Sequence, residues 1–421
     1  MRSDTAATRG EQNRGSQLQS SILDHQRSTH LHVSLLTGGG DKPYAIGMAA
    51  ALASADVAVD FIGSDDLDVP ELLAEPRVHF LNLRGDQRPE ASFSAKILRV
   101  LRYYAKLIAY TARAKPKLFH ILWNNKLQLV DRTILMLYYK LLGKRVVLTA
   151  HNVNAGKRDQ NDSWLNRASL KVQYQLSDHV FVHTAAMRTE LIADFGLPED
   201  RATVIPFGIN NTVPNTNLSA AAAKRQLGLE ESDKVLLFFG NIAPYKGLEF
   251  LVAAFGRLVE QDRSYRLLIV GNPKGDLNYW IKIKQSIAAA GIGDRVTQKI
   301  EYVPDEATEL YFKAADVLVV PYVHVFQSGV LFLGYSFGLP AIVTDVGSLK
   351  EEIVDGKTGL VCKPRDSADL ARAISNYFNS DLFQNLENER AQIKAYANER
   401  YSWDKVAAVT TAVYRKLTAN G

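Results

Sequence analysis

The sequence predicts an α/β fold built as two similar halves, and three observations carry the expectation. Short apolar runs of strand length alternate with helical stretches along nearly the whole chain, which is how parallel sheets covered by helices read. That alternation runs over residues 31–205 and restarts at residue 235. Between the two runs, residues 211–229 (NTVPNTNLSAAAAKRQLGL) carry Pro and Asn before a short helical segment, the composition of a crossing between domains. Two Rossmann-like domains facing each other across a cleft are therefore expected. The division is a disordered tail over 1–28, an N-terminal domain over 29–212, a C-terminal domain over 213–400 and an amphipathic helix over 401–421.

The totals bound the class. A chain of 421 residues exceeds the usual size of one core. A hydrophobic content of 47% and a charged content of 23% describe an ordinary globular protein. No window approaches the roughly 18 consecutive apolar residues of a membrane span. The polar N-terminus has no apolar core of a secretory signal, and the single cysteine, Cys362, excludes an internal disulfide and a cysteine metal cluster. A cytoplasmic setting is expected. The net charge of +5 suits an anionic partner, and a nucleotide, a membrane or a nucleic acid would each satisfy it.

Taken in order, residues 31–36 read as a buried strand. The loop Gly38, Gly39 and Gly40 then lets backbone approach a ligand closely or serves as a plain tight turn, and an Ala-rich helix follows. A strand is expected over 57–62. Residues 94–117 form a helical pattern in which Ile97, Leu101, Tyr104 and Ile108 share one face. Arg99, Arg102, Lys106 and Arg113 make a basic stripe with no acid among them. That stripe suits an anionic lipid surface, with Tyr103, Tyr104 and Tyr110 at the interface, as well as it suits solvent. Strands over 118–123 and 145–149 follow. His151 comes straight after the second, on the rim where parallel sheets bind ligands. Strands at 180–183 and 203–205 close the first half.

The second half repeats the plan, with strands at 235–239, 265–270 and 296–300 and helices between them. Its centre is residues 317–344. An unbroken apolar strand, 317–320, leads through a polar loop to an apolar helix stopped by Gly338 and Pro340, and then to a second buried strand, 341–344. Gln327, Ser328 and Gly329 lie at that helix N-terminus, where free N–H groups make a ready cradle for a diphosphate.

Several stretches together resemble a known family: FFGNIAPYKGLEFLVAAF, YRLLIVGNP, AADVLVVPY, SFGLPAIVTDVGSLKEEIVDGKTGLV, VIPFGIN and the terminal YSW helix. Their order and spacing are similar to the retaining glycosyltransferases of the GT-B fold, in the large family 4 that includes bacterial mannosyl- and glucosyltransferases. The likeness covers residues 31–417. It implies a nucleotide diphospho-sugar held by the C-terminal domain, a glycan or lipid-linked acceptor held by the N-terminal domain, and a last helix that crosses back to the N-terminal domain. No cofactor or metal is implied, and no metal motif is evident. By the resemblance, Lys246 neutralises the donor diphosphate and Ser328, Gly329 and Val330 offer it amides. Tyr302 and Val303 lie beside the base. His151 lies near the transferred sugar, and the Gly39 loop closes over it. Gly240, Asn241, Gly271, Gln327 and Glu351 complete the donor site. The chain departs from the family at Val325 and Leu333, where two glutamates are usual, and at Asn241 and Ala243, where an arginine is expected. A non-catalytic GT-B scaffold is the competing expectation. An epimerase would need cleft carboxylates that are not found, and no motif suggests nucleic-acid binding.

Overall fold

A computed structural model describes residues 31–88, 92–158, 162–209, 213–274, 277–325 and 327–419. The expected tail lies outside them. The N-terminal sheet has seven strands: β1 (His32–Leu36), β2 (Ala58–Gly63), β3 (Val78–Asn82), β4 (Leu118–Ile121), β5 (Arg145–Thr149), β6 (His179–Val182) and β7 (Ala202–Val204). Their order is β3-β2-β1-β4-β5-β6-β7. The second sheet has six: β8 (Lys234–Phe239), β9 (Tyr265–Val270), β10 (Val296–Lys299), β11 (Val317–Val320), β12 (Ala341–Thr344) and β13 (Gly359–Cys362). Their order is β10-β9-β8-β11-β12-β13. Neighbours pair in parallel throughout. In both sheets the order reverses beside the first strand. That reversal opens a crevice at the strand C-termini, and the loops after β1 and β8 lie in it.

Most strands are short apolar runs buried on both faces, as parallel strands under helices must be. The sequence reading missed two edge strands. β3 is VHFLN, with His79 exposed and only its first residue fully buried, and β13 opens on a glycine. An edge strand is covered on fewer sides, so its apolar signal is weaker.

Helices α1 (Lys42–Ser54) and α10 (Trp403–Ala419) cover one face of the first sheet, where Met48, Leu52, Val406 and Tyr414 share a core with Val33 and Phe181. The last helix thus crosses back onto the N-terminal domain. The indole of Trp403 lies against Gly47, where a Cβ would come within 2.2 Å of the ring, and its Nε1 donates to the Ile209 carbonyl at 3.0 Å. The opposite face is covered by α2 (Phe93–Arg113), α3 (Met136–Leu141), α4 (Trp164–Leu176) and α5 (Ala185–Phe195). Here one expectation needs correcting. Tyr103 and Tyr104 are buried in the core, and the Tyr110 hydroxyl donates to Asp60 at 2.6 Å. Their spacing puts these rings on the sheet side of α2, so none of the three sits at an outer interface.

Candidate active site

One wall of the cleft grows from the end of β8. The chain leaves that strand at Gly240, whose φ of +98° favours glycine. A Cβ there would lie 3.0 Å from Lys246 Nζ and 3.3 Å from a Val330 methyl, so these three residues meet. Gly271, after β9, packs so tightly that a Cβ would be 1.8 Å from the Gly240 carbonyl oxygen. Lys246 closes the 3-10 turn Pro244–Lys246 and is only 5% exposed. Its ammonium lies 5.1 Å from the centre of the Tyr322 ring and 6.0 Å from that of Phe238. No carboxylate among the described residues pairs with it, and burial pulls its pKa down to about 8. Ser328, the N-cap of helix α8 (Gly329–Ser336), donates its hydroxyl to the same Tyr322 at 3.3 Å. Lysine and helix N-terminus therefore converge on one aromatic ring.

The facing wall comes from the rims of β5 and β6. His183 Nδ1 lies 3.3 Å from the Ile205 carbonyl, which can only accept, so that nitrogen carries the proton. His183 Nε2 is then the acceptor for His151 Nδ1 at 3.0 Å. Burial pushes the His183 pKa down to about 4 and that of His151 well below its ordinary value, so both rings are neutral. The chain of tautomers leaves His151 Nε2 with a bare lone pair. That atom is buried and has no hydrogen-bond partner among the described residues. Trp123 stacks flat on the His151 ring at 4.0 Å, and Tyr44 meets it edge-on at 4.7 Å.

Between the walls lies a cavity of about 270 Å³ lined by Asp41, Tyr44, Phe207, Gly329, Val330, Leu333 and Trp403. Phe207, in the turn after β7, stacks on Phe332 of α8 at 5.2 Å and joins the two domains. Gly39, with φ +83°, sits under the Arg84 guanidinium, which a Cβ would meet at 2.3 Å. The remaining sequence-predicted residues are more scattered. Val303 is buried, Tyr302 is 75% exposed and Asn241 is exposed. Glu351 is exposed too, while its neighbour Glu352 is buried and hydrogen-bonded by Tyr401 and Gln327. The Gln327 side-chain oxygen, Oε1, is buried without a hydrogen-bond partner among the described residues. Val325 and Leu333 are both buried. Arg99, Arg102 and Lys106 lie on α2, away from the cleft lining.

Sequence reasoning passed over Asp41, Arg84, Trp123 and His183. Asp41 N-caps α1 by accepting from the Tyr44 amide at 3.0 Å, and burial, with Asp305 across the cleft, raises its pKa. His183 had a readable signal, since it follows β6 as His151 follows β5. Contrary to the expectation that no metal motif is evident, the chain carries an Asp-x-Asp pair at Asp66 and Asp68. No cluster of three potential ligands able to hold a metal occurs among the described residues.

Two family models match, and together they take in most of the chain. One, described as glycosyltransferase family 4, matches residues 38–212, and the other, glycosyl transferases group 1, matches residues 219–400. The chain belongs to the group 1 glycosyltransferase family and has the GT-B fold. Curated relatives of this chain include a D-inositol 3-phosphate glycosyltransferase of Nocardia farcinica, 32% identical over 47% of this chain and 44% of that protein. A glycosyltransferase of Methanocaldococcus jannaschii is 27% identical over 57% of this chain and 60% of its own length. The matched stretch thus spans about half the length of these relatives. Among solved structures, sucrose-phosphate synthase from Thermosynechococcus elongatus superposes with a TM-score of 0.72 at 22% identity, covering 93% of this chain and all of that one. Anabaena HepE, solved with UDP and glucose, gives 0.69 at 17% identity over 93% of this chain and 100% of its own. At such identities these two structures speak for the fold. The two-lobed architecture expected from the sequence is the one observed.

Proposed function

We propose that this glycosyltransferase moves a hexose from a nucleotide diphospho-sugar to a glycan or lipid-linked acceptor, with retention and without a metal, in cell-surface polysaccharide or glycolipid assembly. The observation that carries the reading is Lys246. Holding an ammonium in an apolar pocket with no counter-charge is costly, and a bound diphosphate would supply the missing anion. The HepE structure holds UDP in the same fold, in keeping with a nucleotide donor.

The chemistry follows from charge. As the bond from the anomeric carbon to the phosphate oxygen breaks, negative charge grows on the diphosphate. Lys246 and the amides of Gly329 and Val330 at the α8 N-terminus meet that charge. Asp41, the carboxylate in the cavity lining, is engaged in capping α1 through the Tyr44 amide, and we assign it no part in a covalent double displacement. The acceptor hydroxyl attacks instead from the leaving-group side, and its proton passes to the departing phosphate. His151 Nε2 can only accept, so its role is to hold a sugar hydroxyl. Replacing Lys246 with Ala should lower turnover at least tenfold (about 1.4 kcal/mol or more). Unchanged turnover would remove it from the mechanism.

One observation favours a second reading, a catalytically impaired scaffold. At the two positions where the resemblance expects glutamates, Val325 and Leu333 are apolar and buried, so the donor's hydroxyls must find other partners. Calorimetry with a panel of nucleotides separates the readings, since a scaffold of that kind binds none. The acceptor half of the proposal places the enzyme at the inner face of the cell membrane. Arg99, Arg102 and Lys106 of α2 are there proposed to touch anionic lipid.

A further inference from the structure

Of the eighteen large hydrophobic side chains exposed among the described residues, fourteen fall between residues 93 and 172. That stretch supplies α2, α3 and α4. All three bury their inner sides in one core, through Tyr104, Leu107, Tyr139, Leu170 and Tyr174, on the same face of the first sheet. They are also tied side by side. Tyr138 donates to the Ile108 carbonyl at 3.1 Å, linking α3 to α2. Arg132, in the turn leading into α3, donates to Asn166 of α4 at 2.8 Å. Their outer sides therefore form one continuous layer, crowned by Phe93, Leu101, Ile134, Leu137, Leu141 and Trp164.

The charge of this layer is as lopsided as its hydrophobicity. Residues 93–172 hold sixteen lysines and arginines against three aspartates and no glutamate, a net of +13. The whole chain carries only +5, so the remainder is net acidic. Of the three aspartates, Asp131 is buried and Asp162 is paired with Arg167.

We infer that the outer faces of α2, α3 and α4 together form a docking surface for an anionic lipid bilayer, with α3 and α4 inserting apolar side chains between the basic groups. This extends the proposed lipid contact well beyond the α2 stripe, and it rests on the reading that the acceptor is membrane-borne. The chemistry selects the occupant. Exposed leucines and isoleucines on a stretch this rich in lysine and arginine match the boundary between acyl chains and anionic headgroups. A second copy of the chain is disfavoured, because a two-fold contact would press one strongly positive face against its twin.

The test uses the full chain with phosphatidylcholine vesicles prepared with and without phosphatidylglycerol, at low and high salt. Binding is expected only to the anionic vesicles and is expected to weaken with salt. Replacing Arg102 and Lys106 with Ala should weaken partitioning about thirtyfold. Replacing Ile134, Leu137 and Leu141 with Ser should weaken it at least tenfold. Because all five side chains lie outside the cleft lining, thermal stability and donor hydrolysis without vesicles should not change in either variant. Equal vesicle binding by the Ser variant and the natural chain would overturn the inference. So would a natural chain that ignores anionic vesicles, or a solution mass that falls from dimer to monomer in the Ser variant. Donor hydrolysis is read in the same samples, so sugar transfer can stand when the lipid surface falls.

Discussion

Lys224 and Lys246 are buried to nearly the same depth in the same domain, 7% and 5% exposed, and their surroundings are opposite. The Lys224 ammonium meets the Asp316 carboxylate at 3.1 Å and the Asp233 carbonyl at 2.8 Å. Lys246 has aromatic rings and the Gly240 backbone. The histidines of the other domain divide in the same way. His120 bonds Tyr414 at 2.6 Å and Thr149 at 2.7 Å, so both ring nitrogens are used. His151, partly buried but with its Nε2 sealed from solvent, has among the described residues a hydrogen-bond partner at Nδ1 only. Where helices and strands merely hold the fold together, each of these polar groups is matched from within. Along the cleft two are matched on one side or not at all. Burial costs a polar group its water, and a group left unmatched by the protein is matched when a ligand brings the partner.

The largest effect should come from setting the two lysines against each other. Lys224→Met strands Asp316 as a buried, unpaired carboxylate and should destabilise the fold by roughly 3–5 kcal/mol. Lys246→Met removes an uncompensated charge, so the melting temperature should hold or rise while turnover falls at least tenfold. Thermal unfolding and donor turnover, measured on both variants, check the contrast. A Lys246 variant that melts as low as the Lys224 variant would abolish the distinction between them.

The histidines should give a smaller split. His120→Phe leaves two buried hydroxyl groups without their shared partner, which costs about 1–3 kcal/mol in stability. Activity per folded molecule should survive. His151→Ala should instead spare most of the stability and lower turnover about tenfold to a hundredfold, the worth of one good buried hydrogen bond to the sugar. Equal losses of turnover in the two variants would mean that His151 is only another packed ring.

The sequence made the large features legible because they rest on local rules. Buried parallel strands are continuous apolar runs, and Gly38–Gly40 and Gly240 mark where backbone must turn sharply, so the two-lobed plan and the rim positions of His151 and Lys246 could be read directly. What it hid depends on which way a side chain points after folding. Tyr103 and Tyr104 sit among basic residues in sequence and turn into the core in space. Glu351 and Glu352 are adjacent, yet only the second is buried, where Tyr401 reaches it from 49 positions away. The partnering of His151 by His183 needs two strands to pair first. The same holds for the apolar layer of α2, α3 and α4, whose pieces lie in three separate segments and look unremarkable one at a time.

The smallest predicted effect sharpens the lysine contrast through pH. Burial lowers the Lys246 pKa from 10.5 to about 8. The ammonium is the form that meets the diphosphate, whose own charges do not titrate in this range. Donor affinity, read as kcat/KM, should therefore be flat below pH 8 and fall above it, by about fourfold between pH 7 and 8.5 and approaching tenfold per unit beyond. A bound diphosphate stabilises the ammonium and raises its pKa, so kcat at saturating donor should stay level to higher pH. Unfolding cannot mimic this loss. Between about 8 and 10.5 the unfolded chain keeps a proton on Lys246 that the folded chain has released, so this residue makes the fold more stable as pH rises. In Lys246→Met the fall above pH 8 should vanish, and a profile identical to that of the natural chain would place the titration on another group.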